Sequence, residues 1–286
     1  MDPIVIGRRD GSRMEVQAWP AANPAGPPIL IMPAMGVPGG YYRPLAEVLS
    51  DRGHPVVVGE QRGHGRSGLR PGHGVDFGYH DLLAEDWPAL VEATAGRFPG
   101  PRPVLLGHSL GGQLGLLYAG RHRQAFSAVV LAAACSVHYR SYPGAGGVAI
   151  RGYALFGPPL ARVLGHFPGR WLGFAGREAR GMIRDWGEEV LTGRYRLAGS
   201  PHDDEAALAR IDLPVLAISL DTDRLAPRAA VDRLAAKLPA ARVERVHWRA
   251  AELGDPAFNH FTWARRPAVF AERVADWLSR TLPPYM

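Results

Sequence analysis

The apolar positions of this chain fall into short unbroken runs separated by stretches of helical spacing. "PPILIMPAM" (27–35), "HPVVVGEQRG" (54–63), the start of "PVLLGHSLGGQLGLLYAG" (103–120), "FSAVVLAAA" (126–134) and "LPVLAISLD" (213–221) carry continuous apolar cores of strand length, the pattern of strands buried on both faces. Between them, "YYRPLAEVLSDRG" (41–53), "HDLLAEDWPALVEATAGRF" (80–98) and "PRAAVDRLAAKL" (227–238) show helical periodicity. Gly53 is placed to end the first of these helices, and Leu82, Leu83, Leu90 and Val91 turn the second toward a core. "ARVERVHW" (241–248) reads as a last strand and "RPAVFAERVADWLSRTL" (266–282) as a last helix. At the other end, "IVIGRRDGSRMEVQAW" (4–19) is two short alternating stretches around Asp10-Gly11, a hairpin signal. Strands alternating with helices predict βαβ units and an α/β fold, its mostly parallel sheet covered on both faces.

Residues 135–210 break this rhythm. The segment is far longer than the loops of α/β units, and it is rich in aromatics and glycine: "HYRSYPGAGG", "RGYALFGPPL", "GHFPGRWLGFAG", "MIRDWGEEV". It is expected to form a helical cap or lid inserted into a core made of 1–134 and 211–286. No internal repeat or low-complexity linker interrupts the chain.

At 286 residues and 47% hydrophobic, the chain can bury one large core. The net charge of +6 raises nucleic-acid binding as a possibility. The basic residues, however, are scattered arginines with Lys237 the only lysine, whereas a nucleic-acid surface clusters its cations. Nucleic acid is therefore not an expected partner. The single cysteine, Cys135, follows an apolar strand and reads as a buried core thiol with no disulfide. The N-terminus lacks the apolar stretch of a signal peptide. No run of about 18 apolar residues exists to insert stably in a membrane, so a cytoplasmic protein is expected.

The chemistry concentrates where the third buried strand becomes a helix. Gly107-His108-Ser109-Leu110-Gly111 is a G-x-S-x-G sequence at a strand–helix turn. Such a sharp turn strains the backbone of its middle residue and needs glycine two positions before and after. It exposes the serine hydroxyl beside the helix N-terminus. A serine hydroxyl is a weak nucleophile without a base and an acid that orients the base. In chain order these should follow the serine at later strand ends. "AISLDTDRLAP" offers Asp221 and Asp223 just past a strand, and "DPAFNHFTWARRP" offers His260 in the loop after the last strand. His247 lies within that strand, and His54, His64, His73 and His80 precede the serine. No metal-ligand spacing, P-loop or dinucleotide fingerprint is present, so neither a metal nor a cofactor is expected.

At "PAMGVPGGYYRPLAEVL", "QRGHGRSG", "GHSLGGQLG", "GHFPGRWLG", "DTDRLAP" and "NHF" the chain resembles the serine hydrolases of the α/β-hydrolase superfamily. The nearest resemblance is to a group of bacterial α/β-hydrolases of aminopeptidase and esterase type. The resemblance spans nearly the whole chain and implies an eight-stranded sheet with flanking helices and a cap. It implies Ser109 as nucleophile, His260 as base and Asp223, rather than Asp221, as acid. An oxyanion hole would form from the backbone N–H groups of Leu110 and Met35. Pro33-Ala34-Met35-Gly36 stands where many relatives have His-Gly-x-Gly, and Glu60 stands where the "D-x-R-G-x-G-x-S" loop has aspartate. That loop is expected beside the site as a set of turns. The implied activity is cofactor-independent hydrolysis of an ester, carboxylesterase- or lipase-like, and the aromatic content of residues 135–210 suggests a small-molecule substrate with an apolar acyl or alcohol group. Small-substrate peptidase or amidase action, acyl transfer with the same triad, and ligand binding without catalysis are the competing readings.

Overall fold

A computed structural model describes residues 1–8 and 10–283; the last residues of the expected core, 284–286, lie outside it. The main sheet has eight strands: β1 (Asp2–Gly7), β2 (Arg13–Trp19), β3 (Ile29–Met32), β4 (Val56–Val58), β5 (Val104–His108), β6 (Ala128–Ala132), β7 (Pro214–Leu220) and β8 (Arg242–Trp248). Their spatial order is β1-β2-β4-β3-β5-β6-β7-β8. The β1–β2 hairpin pairs antiparallel, and β2 joins β4 antiparallel. Every pairing from β4 to β8 is parallel.

Alternation along the strands divides the core in two. Ile29 and Ile31 of β3 face one layer with Leu45 and Leu49 of α1 (Arg43–Asp51). Phe270, Val274 and Trp277 of the C-terminal helix Ala268–Thr281 complete that layer. Leu30 and Met32 face the other layer, with Trp87 and Leu90 of α2 (Trp87–Arg97) and Leu114 and Leu117 of α3 (Leu110–Arg121). Strands with both faces covered carry mostly apolar positions, which is why they appear as apolar runs; the buried polar residues they do hold, His108 of β5 and Ser219 of β7, are hydrogen-bonded.

The helix expected over 80–98 is not uniform. A turn at Tyr79–Asp81 leads into a π-helical stretch, Leu82–Asp86, before α2 begins. That wider turn carries Glu85 and Asp86 toward two arginines. Arg62 binds Glu85 at 2.6 Å and Asp86 at 2.7 Å, and Arg8 binds the other oxygen of Asp86. Buried charges persist where they are paired in this way.

Residues 135–210 contribute no strand to the main sheet. They form α4 (Ala145–Leu164), a short helix at Gly169–Leu172, a two-stranded ribbon of Phe167–Pro168 with Arg177–Glu178, α5 (Arg180–Thr192) and α6 (Asp204–Ala209). α4 packs on α5, whereas α6 packs on α3 of the sheet layer. Two acids one turn apart on α5 tie the segment to the sheet. Asp185 accepts the Tyr79 amide at 2.9 Å. Glu189 accepts the Ser136 hydroxyl at 2.6 Å and the Val137 amide at 2.7 Å.

Burial pushes the Glu189 carboxyl up to about 7, against the pull of those two hydrogen bonds and of Lys237. Between the ordinary carboxylate pKa and 7, the unfolded chain has released this proton while the folded chain still holds it. Stability therefore falls as pH rises through that window, by about 1.4 kcal/mol per unit and about 3 kcal/mol in all. Glu189→Gln keeps an oxygen for Val137 and cannot ionise. Thermal melting at pH 5 and at pH 8 should show the variant gaining on the wild type at the higher pH. A constant difference between the two proteins would refute this reading of Glu189.

Candidate active site

The turn from β5 into α3 fixes Ser109 at φ 51 and ψ −117, a backbone conformation that side chains rarely adopt. The surroundings leave no alternative. A Cβ on Gly107 would meet the Gly112 Cα at 2.4 Å, and one on Gly111 would meet the Met32 carbonyl oxygen at 2.3 Å. Both glycines are therefore required by close backbone approach. Ser109 is half-buried at the start of α3, whose other residues up to Gly120 are buried.

Asp223 follows β7 and His260 follows β8. The two side chains meet, with His260 Nδ1 at 2.8 Å from Asp223 Oδ2. The other oxygen, Asp223 Oδ1, accepts the amides of Leu225 at 2.8 Å and Ala226 at 2.9 Å. Both residues are buried. Asp221 is exposed and turns away, accepting the Ala250 amide at 2.9 Å. His247 is exposed on β8 and bonds Ser219.

Ser109 and His260 open into one cavity of about 270 Å³. Met35 and Leu110 line it as well, and among the described residues neither of their amides donates a hydrogen bond within the protein. The rest of the wall is mainly apolar. Val137, Ala149, Ile150, Phe174, Trp186 and Leu225 contribute, and most of these come from residues 135–210. Tyr142 and Tyr153 present ring faces, because their hydroxyls are spent on the Leu225 and Leu172 carbonyls. Cys135 is buried, and burial pushes its thiol well up from the ordinary range. Besides the Met35 and Leu110 amides, the polar groups left to a ligand are the side chains of Ser109, His260, Gln113 and Arg224 and the Trp186 indole N–H. Arg224 makes no ion pair among the described residues, and no Asp or Glu lines the wall.

Three features of the site were not foreseen from sequence. His108 packs beside the His260 ring with centroids 4.8 Å apart. Its Nδ1 lies 2.6 Å from the Tyr42 hydroxyl, which also accepts the Ala34 amide at 3.0 Å. The tyrosine therefore donates to His108 Nδ1, and burial holds His108 well below the usual imidazole range. The neighbours of Met35 and Ser109 are thus joined through one neutral hydrogen-bonded chain. Secondly, Gln113 donates to the Cys135 carbonyl at 2.8 Å, while its buried Oε1 has no partner among the described residues. Thirdly, the "EQRGHGRSG" loop does not line the cavity. It acts at one remove, Gln61 donating to the Pro33 carbonyl at 3.0 Å and Glu60 accepting the Gly39 amide at 3.0 Å.

A profile of the family described as "Serine aminopeptidase, S33" matches residues 27–185, a span that holds Ser109 and stops short of Asp223 and His260. A Caulobacter segnis protein, provisionally named carbamate hydrolase RutD, is 27% identical over 86% of this chain and 91% of its own length. The pimeloyl-[acyl-carrier protein] methyl ester esterase of Xanthomonas campestris is 29% identical over 76% of this chain and 85% of its own. Among solved structures, the monoacylglycerol lipase of Paleococcus ferrophilus superposes with a TM-score of 0.62 at 20% identity, covering 94% of this chain and all of that one.

Proposed function

Because the chain belongs to the serine aminopeptidase S33 family of α/β-hydrolases and is a hydrolase of ester or amide bonds, we propose that it cleaves small carboxylic esters through an acyl-enzyme on Ser109. The observation that carries this reading is the buried Asp223–His260 pair beside a serine held at φ 51 over the same cavity. In the proposed reaction His260 Nε2 takes the Ser109 proton as Oγ attacks the acyl carbonyl. The amides of Met35 and Leu110 receive the developing oxyanion. Collapse breaks the ester bond, and His260 passes its proton to the departing alcohol. Water then attacks the acyl-serine with His260 again as base, releasing the acid and restoring Ser109. Asp223 holds the imidazole with its proton on Nδ1 throughout.

The cavity wall supports an ester over a peptide. Recognition of a peptide N-terminus calls for a carboxylate facing the ammonium group. The wall carries none among the described residues, and its charged side chain is Arg224. An apolar acyl or alcohol group fits the aliphatic and aromatic lining, and in this reading residues 135–210 act as the cap that supplies it.

The test is a fluorophosphonate probe followed by peptide mass spectrometry. Wild type should be labelled on Ser109, and His260→Ala should lose the label by at least about a hundredfold in rate. Folded wild type that takes no label, or takes it elsewhere, would overturn the proposal.

A further inference from the structure

Large apolar side chains are left uncovered chiefly in one place. Among the described residues, eight of the eleven exposed ones lie between Val148 and Leu172. On α4 they are Val148, Leu155, Phe156, Leu160, Val163 and Leu164, a spacing that puts them along one side of the helix. The opposite side carries the buried Ala154, Gly157 and Ala161, and Ile150 and Tyr153 reach the cavity. Phe156 is 73% exposed, and Trp171, on the short helix that follows, is 85% exposed.

Charge decides what could cover this face. No Asp or Glu occurs from residue 93 to residue 177, while Arg151, Arg162 and Arg170 are exposed around the apolar stripe. A protein partner would need matching shape and hydrogen-bond partners, and this face offers almost no polar group except its arginines. A bilayer surface with anionic headgroups supplies both an apolar layer for the stripe and counter-charges for the cations. An uncovered indole is the side chain most at home at that boundary. No helix among the described residues is long and apolar enough to cross a membrane, so the helix would lie in the plane rather than span.

We propose that the outer face of α4, together with Trp171, docks this protein on anionic lipid surfaces. Docking would bring the helix that walls the cavity against the layer into which apolar esters partition. That consequence rests on the ester-hydrolase reading, whereas docking itself does not.

Co-sedimentation of the full chain with unilamellar vesicles tests it without any turnover. Binding to phosphatidylcholine vesicles containing phosphatidylglycerol is expected, weakened at least tenfold on phosphatidylcholine alone. The double variant Phe156→Ser/Trp171→Ser should bind at least tenfold more weakly while its melting temperature holds. Wild type that stays in solution with the anionic vesicles would overturn the proposal, as would a double variant that sediments like wild type. Sedimentation velocity supplies a third way to fail. A wild-type dimer that the double variant turns into a monomer would assign the face to a second copy of the chain.

Discussion

Ser109→Ala should lower kcat on an activated ester by about four to six orders of magnitude and leave folding intact. The expected loss is large because the hydroxyl is the group proposed to form the covalent bond, and no other nucleophile of the wall can replace it. Cys135 is the nearest substitute by chemistry, yet burial holds its thiol protonated. The backbone supplies a control within the same residue. At φ 51 a Cβ is strained and glycine is not. Ser109→Gly should therefore be as inactive as the alanine variant yet more stable, by about 1 kcal/mol. Steady-state kinetics and thermal melting on the two variants separate loss of the nucleophile from loss of the turn. Either variant keeping more than about one hundredth of wild-type kcat would remove Ser109 from the mechanism.

How far this could be read from sequence follows from how local each cause is. Strands β3 to β7 were legible because burial on both faces fills them almost entirely with apolar residues. The elbow was legible because two backbone contacts exclude a Cβ on Gly107 and Gly111, leaving a fixed spacing around Ser109. Helix α4 shows the reverse case. Its twenty residues include Gly146, Gly147, Gly152, Gly157, Pro158 and Pro159, a composition that intrinsic propensity assigns to a loop. The helix stands because its small residues allow close packing on Ile183 and Phe167: a Cβ on Gly157 would already meet the Ile183 Cγ2 at 3.1 Å. The π-helical stretch at Leu82–Asp86 is likewise set by distant arginines, Arg8 and Arg62, and not by its own sequence.

Partners brought from afar were the least legible part of the site. His108 precedes the serine in the elbow and does not line the cavity. Its packing against His260 and its bond to Tyr42 depend on the end of β5, the turn before α1 and the loop after β8 meeting, which no local pattern encodes. The same holds for Gln113 and Glu189, whose functional surroundings arrive from Cys135 and from Ser136 and Val137. The choice between Asp221 and Asp223 rested on resemblance, since both follow one strand within three residues. In the structure the loop divides them: Asp221 fastens the start of the segment after β8, and Asp223 faces the imidazole.

Asp223→Asn should cost about four orders of magnitude in kcat, while Asp221→Asn should stay within about threefold of wild type. The asymmetry follows from how each carboxylate is held. Asp223 Oδ1 accepts two backbone amides, from Leu225 and Ala226, so an asparagine there must keep its carbonyl oxygen on that side. Its NH2 group is then forced toward His260 Nδ1, where the aspartate now accepts the N–H hydrogen bond. A donor at that position drives the imidazole into the other tautomer, with its proton on Nε2, and a protonated Nε2 cannot take the proton of Ser109. The same variant should lose fluorophosphonate labelling in step with kcat, because both depend on a deprotonated Nε2. At Asp221 the single bond from the Ala250 amide can be accepted equally well by an asparagine oxygen. If Asp221→Asn collapses the rate and Asp223→Asn does not, the acid has been misassigned. If both keep the rate, His260 is oriented by something other than a carboxylate, and the neutral His108 beside it becomes the group to change next.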